Sequence, residues 1–502
     1  MERTKHFLYD CFLAPQDAIV LSLFRVFWGG LMVWEMYLYS ANNYSKLITL
    51  YGGEMALQYQ GWEWLEKPTL QMMMRLVDLA WWSAVFMTIG FCYNLFAMWF
   101  LLVFGYMFFI DQSTYLNHFY LLMVIQFIMV ISPANAMLSV DCILSPKTWF
   151  KRSVERWHTR LIVVLLSIVY LFAAIVKLNE DWLRGEPLRH WVCHKEYNGF
   201  WLAQMIFNNW WSPYALSYGG IFVDYSLAFL MHADGWLYVV AWIICLSFHA
   251  LNKYSMNIGI FPYMCIVCMC LTFSAKTVRR IVRTEDDETM EQTTRKIATE
   301  YSPQKQWTWG QKIKIACILL FLLFHILFPL RFILRIDANQ QSWMNSGHDF
   351  SWRMKLKGKM CHGAFFSQFP GEEEQLIKPI HPKFLSHRQY NKLLQRPEAI
   401  QNFAQQWADK MQKDDKQHRR PEIHTNVTCS VNYRMFQLIC PRNLDLANKS
   451  LSQYQEDWMY PLMPLSEHHK QQYPWNWDWV AIYNKTINMD EMAYSWWYLH
   501  EM

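Results

Sequence analysis

The chain has 502 residues, of which 53% are hydrophobic and only 17% charged, against roughly a quarter charged in soluble domains. This excludes a disordered or fibrous chain, and a dispersed formal net charge of +5 without a basic patch points to no nucleic-acid partner. The mean hydropathy of −0.01 averages two unlike regions, long apolar runs up to about residue 335 and then a polar stretch rich in Gln, Asn, Lys and Trp.

In chain order, apolar runs long enough to cross a bilayer fall near 19–39, 75–92, 95–111, 117–133, 160–178, 213–231, 235–252, 256–274 and 314–334. The first lacks a small-residue cleavage site and continues into Trp34 and Glu35, so it is expected to stay as a span. The predicted fold class is an all-α polytopic membrane bundle of about nine transmembrane helices, residues 1–334. A small C-terminal α+β extramembrane domain follows, residues 335–502. Within that domain 387–413 has a helical pattern interrupted near Pro397, and 427–440 alternates like strand. The run Pro474–Trp479 is left between packing on the domain and lying on the membrane.

Lys147, Lys151, Arg152, Arg156 and Arg160 fill one short connection, and Lys276, Arg279, Arg280, Arg283, Arg295, Lys296, Lys305 and Lys312 another. Both are expected to face the cytoplasm. Nine spans then put the N-terminus inside, and 43–74, 179–212 and the C-terminal domain outside. That side is lumenal or extracytoplasmic, across an endoplasmic reticulum membrane in a eukaryote or an inner membrane in a bacterium. The sequons at Asn43, Asn426, Asn448 and Asn484 all fall there, as do Cys193, Cys361, Cys429 and Cys440, among which a disulfide and free thiols are both open. The only CxxC, Cys265 to Cys268, lies in an apolar run without a second pair and reads as buried thiols.

Ionisable groups in or beside spans are functional candidates, because burying them in hydrocarbon is costly. They are Arg25, Glu35, Asp78, Asp111, His118, Lys177, Asp224, His249 and His325. Arg25 with Glu35 or Asp78 reads as an ion pair within the bundle. Asn117 with His118, Lys177, and His249 with Asn252 all map to the outer ends of their spans. Lys177 follows the apolar run 171–176, so poor solvation favours its neutral form and a role as base; the bland alternative is a lysine snorkelling to the interface. Met72–Met74 and the aromatic residues near span ends read as interfacial anchors.

The segments Asp111–Tyr120 and Val176–Arg189, with Phe248–Asn252, Gly347–Met354, Arg396–Pro397 and Ser430–Asn432 in the same order, resemble the vitamin K-dependent gamma-carboxylase family and its related horizontally transferred transmembrane domain. The resemblance implies a multi-pass membrane enzyme that couples oxygenation, or epoxidation, of vitamin K hydroquinone to carboxylation of peptide glutamate. It implies O2 and CO2 as further reactants, no metal, and membrane lipid, quinone and a Glu-containing peptide as partners. By the same resemblance Lys177 is the initiating base, Asn117, His118 and His249 share the catalytic site, and Asn252 belongs to a second polar pair. Arg189 and Trp191 grip substrate, and Trp343 and His348 lie in the outer region closing over the pocket. The animal members look to have Lys where this chain has Val176 and Asp where it has Arg353, and they continue into a longer lumenal domain. Two alternatives are therefore carried forward, quinol oxygenation without protein carboxylation and a non-catalytic membrane binding protein. A transporter is disfavoured by the lack of an inverted-repeat pattern.

Overall fold

The computed structural model describes residues 2–59, 61–62, 64–193, 205, 207, 209–256, 258–282, 307–333, 336–354, 356–370, 378–379, 384–432, 434–452 and 454–463. Arg283, Arg295, Lys296, Lys305, Asn484 and the run 474–479 lie outside them. Helices α1 (Ala18–Tyr51), α2 (Leu70–Ile89), α3 (Tyr93–Phe109), α4 (Asn117–Val130), α5 (Trp157–Val176), α6 (Ser212–Leu230), α7 (Gly235–Ser255), α8 (Phe261–Met269), α9 (Ala275–Val282) and α10 (Trp309–Ile333) enclose one apolar core. Helix α1 packs most extensively on α2, and α5 on α6. Gly29 allows the α1–α2 approach, since a Cβ there would collide with Thr88.

Among the described residues, five helices are long and apolar enough to cross a membrane: α1, α2, α5, α7 and α10. A sixth is added if α8 and α9, bent by 108° at their junction, count as one span. By this measure the expected nine spans are not confirmed. Every predicted run is helical, but α4 has 14 residues and at 1.5 Å per residue covers about 21 Å of a core roughly 30 Å thick. Helix α3 has 17 residues. Helix α6 has 19 but is diluted by Ser212, Tyr214, Ser217, Tyr218, Asp224 and Tyr225. Helix α1 is broken at Ala41–Tyr44, where Asn42, Asn43 and Tyr44 take left-handed φ of 52°, 54° and 59°; two asparagines make this conformation accessible.

The connections sort to two ends. At one, β1 (Pro15–Asp17) pairs antiparallel with β2 (Ser153–Glu155), Arg279 Nε donates to Asp17 at 2.8 Å, and Lys314 pairs with Glu155. The N-terminal segment thus shares this end with described parts of both basic connections. Arg25, expected to meet a carboxylate, instead donates to the carbonyls of Thr88, Ala134, Met137 and Leu138. Removing its predicted partners from it, Glu35 binds Lys46 at 2.6 Å and Asp78 accepts from Tyr44 Oη at 2.8 Å. A buried turn with unpaired carbonyls needs donors as strongly as a carboxylate does.

At the other end sits the C-terminal domain with a core of its own. Strands β3 (Lys359–His362), β7 (Thr428–Val431) and β8 (Gln437–Leu438) form one antiparallel sheet, and β5 (Lys378–Pro379), β4 (Phe365–Gln368) and β6 (Glu422–Thr425) another. Helix α11 (Ala338–Met344) precedes them; α12 (His387–Gln395) starts at a Ser386–Gln389 capping box, and α13 (Pro397–Asp414) starts on Pro397. Cys361 and Cys429, opposite each other on β3 and β7, form a disulfide. Cys440 is a buried free thiol, and the Cys193 side chain lies outside the described residues.

The domain docks on the bundle through Arg396, which pairs with Asp349 and donates to Gln112 O at 2.8 Å. Beside it Glu398 is pushed up to about 7 by burial and by Asp349, against the pull of Arg396 and Arg331. With its folded value above the ordinary 4.5, its contribution to stability is full below about pH 4.5 and is lost as pH rises through 7. Glu398→Gln is therefore expected to match the wild-type Tm near pH 4.5 and exceed it above about pH 7.5. A constant Tm difference across that range would refute the assignment.

Candidate active site

A cavity of about 1240 Å³ opens where the bundle meets the C-terminal domain, larger than the roughly 300–1,000 Å³ of ordinary ligand pockets. Its wall includes Asn117 and His118 of α4, Tyr170 of α5, Lys177, Asp224 of α6, Asn252 of α7, and His348, Arg353 and Lys357 from the C-terminal side.

Lys177 is the residue after α5, where the chain turns; Asn179 then caps the short helix Glu180–Leu183 by accepting from Trp182 N at 3.0 Å. The turn leaves the lysine stem among apolar groups and its ammonium against the carboxylate of Asp224, both buried. Nζ also lies 5.3 Å from the Trp182 ring centre. Apolar groups are thus only half of its environment, the other half being a carboxylate.

Asn117 is held by both ends of its amide. Its Nδ2 donates to Arg353 O at 2.9 Å, and its Oδ1 accepts from Tyr115 Oη at 2.6 Å. His118 packs edge-on to Phe119, with ring centres 4.8 Å apart, and has no hydrogen-bond partner among the described residues. His249 lies behind the wall, its Nε2 2.6 Å from Tyr170 Oη and its Nδ1 buried without a partner. It reaches the cavity through Tyr170. That tyrosine was missed in the sequence, although its place seven residues before Lys177 puts it on the same helix face.

His348 lines the cavity, and burial together with the nearby guanidinium groups of Arg396 and Arg353 holds its imidazole neutral, well below the ordinary value. Arg189 does not line the cavity; its Nε donates to Glu186 at 2.7 Å and its guanidinium packs near Tyr214. Trp191 packs with the small cluster of Trp182, Leu188 and Val192. Trp343 is fully buried in the C-terminal core, donating to Tyr460 O at 2.7 Å, so the structure does not bring it to the cavity. The sequence also did not disclose that Lys46, paired with Glu35, and Arg353, Lys357 and Arg388 face the same space. Among the described residues, no group of three or more His, Cys, Asp or Glu is arranged to hold a metal.

Residues 13–276 match the HTTM domain family, and residues 310–464 match the family described as vitamin K-dependent gamma-carboxylase, lumenal domain. The two matches lie in tandem, one over most of the bundle and the other over the last long helix and the C-terminal domain. The chain belongs to the gamma-carboxylase family. It is an integral membrane protein whose C-terminal part is of the lumenal type. No solved structure matches it.

Proposed function

We propose that this protein is a vitamin K-dependent gamma-glutamyl carboxylase-like enzyme, coupling epoxidation of vitamin K hydroquinone to carboxylation of peptide glutamate. The observation that carries the reading is the Lys177–Asp224 pair opening onto a cavity shared with Asn117, His118, Asn252 and His348. The apolar walls from α5, α6 and α7 suit a quinone ring and tail, and the polar upper wall suits a hydroxyl or a carboxylate. The hydroquinone, on reaction with O2, supplies a base far stronger than any side chain here.

Lys177 Nζ accepts the quinol proton once its own has been released to water, and Asp224 stabilises the ammonium that re-forms, which increases the driving force for that transfer. Asn117, fixed by Tyr115 and Arg353, presents its amide edge at a constant position. The His118 and His348 rings are placed to pass a proton at the upper wall, and Tyr170 keeps His249 oriented. Enclosure between bundle and cap limits water, which would quench strong bases. With the C-terminal domain lumenal, the opposite end, carrying the basic connections, faces the cytoplasm.

Arg189, engaged by Glu186 and away from the cavity, favours a second reading in which quinol is oxygenated without protein carboxylation. The test uses detergent-purified wild type and Lys177→Ala with reduced vitamin K, O2, labelled bicarbonate and a Glu-rich peptide. Epoxide and fixed label are expected in the wild type, both lost in the variant. Epoxide without label selects the second reading. A variant as active as the wild type would remove Lys177 from the mechanism.

A further inference from the structure

The upper wall of the cavity carries an excess of cations over carboxylates. Arg353 donates to Gln341 and has no ion pair among the described residues. Arg388 likewise has none, and its Nε is buried without an acceptor. Lys357, on the same wall, meets no carboxylate oxygen at ion-pair distance among the described residues; its Nζ donates to Ser342 O at 2.9 Å and to Asn345 Oδ1 at 2.6 Å. Two acceptors are what an uncharged amine needs, since it has two hydrogens to donate and one lone pair left over. A third hydrogen, on an ammonium, has no described acceptor.

The surroundings favour the same state. Burial and the charges of Lys359, Arg353 and Arg396 push the Lys357 amine well below its ordinary value, with Asp349 and Glu398 opposing. The same cations would stabilise an anion formed at Nζ. An uncharged amine with a free lone pair, open to a cavity and ringed by positive charge, is the arrangement that captures CO2.

We propose that Lys357 takes up CO2 as a reversible carbamate on the upper wall of the cavity, opposite the apolar part that suits a quinone. The Nζ lone pair forms the bond to carbon, one C–O π bond of CO2 becomes a carboxylate oxygen, and Nζ loses one proton to water. No electron is transferred and no other reactant is consumed. The carbamate anion sits beside Arg353, and its reversal releases CO2 inside the space where the carboxylase reading requires it. The role rests on that reading; the bond formation does not.

The test is therefore made without turnover. Full-length protein in detergent, with no quinone, is equilibrated with labelled bicarbonate near pH 8, ethylated with a trialkyloxonium salt to fix carbamates, and mapped by peptide mass spectrometry. An exposed lysine of pKa about 10.4 is uncharged in roughly one molecule in 250 at that pH, so label at Lys357 is expected to exceed that at the exposed Lys449 by about a hundredfold. The label should persist in Lys177→Ala, which separates it from the proposed catalysis, and should vanish in Lys357→Arg, which has no amine lone pair to add to CO2. Equal labelling of Lys357 and Lys449, or none at Lys357, would overturn the proposal while leaving the carboxylase reading intact. Labelled Lys357 in a protein that fixes no CO2 into peptide would sustain the site and remove the carboxylase reading.

Discussion

Asp224→Ala is expected to lower stability by about 3–5 kcal/mol, the usual cost of stripping one partner from a buried ion pair, and to cut quinol-dependent product formation by roughly a hundredfold or more, the scale of a general-base contribution. The reason is the place of the pair. Both side chains are buried between α5 and α6, so without Asp224 the Lys177 ammonium has no carboxylate within reach and must shed its proton or draw water into the bundle. The amine is then neutral, but taking a proton from quinol would create an uncompensated buried charge. The double variant Lys177→Met/Asp224→Leu separates stability from chemistry. It replaces the pair with apolar side chains of similar size, an exchange that is often neutral or stabilising, so its Tm in detergent should return close to wild type while epoxide and carboxylated peptide stay absent. Wild-type turnover in Asp224→Ala would sink the assignment of a dyad.

The dyad also shows where sequence reading stops. Lys177 and Asp224 were each conspicuous as ionisable residues beside apolar runs, and the cost of burying them made both candidates. Their pairing was not legible, because 47 residues separate them and no local periodicity says which two helices pack. The same limit explains Arg25, whose expected carboxylate turned out to be a set of carbonyls at 88 and 134–138. Span positions were readable because an apolar run announces itself, but hydropathy alone did not disclose how short some of the helices are, as in α4. The break in α1 left only Asn42–Asn43 as a trace. His348 reached the cavity as the family motif implied, whereas Trp343, five residues before it, belongs to the domain core. A motif records that residues are kept together in a chain and does not say which of them face the ligand.

Asp181→Ala is expected to uncouple the C-terminal domain from the turn that holds the lysine. Asp181 accepts from Arg434 Nη2 at 2.6 Å and from Asn432 Nδ2 at 3.0 Å, joining two of the family-like segments, 176–189 and 430–432, that lie far apart in the sequence. All three side chains are buried, so the alanine leaves Arg434 without its counter-charge, at a cost of about 3–5 kcal/mol. The loss falls on one joint, because Trp182 and Lys177 flank Asp181 on the cavity wall while the C-terminal core is held by its own packing and by Cys361–Cys429. The expected result is faster proteolysis around residues 434–463 with the bundle intact, and a KM for peptide raised more than kcat is lowered, since the cap positions the acceptor and does not take the proton. Asp181→Leu combined with Arg434→Met should restore protease resistance by removing both charges. If Asp181→Ala kept wild-type protection and KM, the bridge would be incidental to how the cap closes the site.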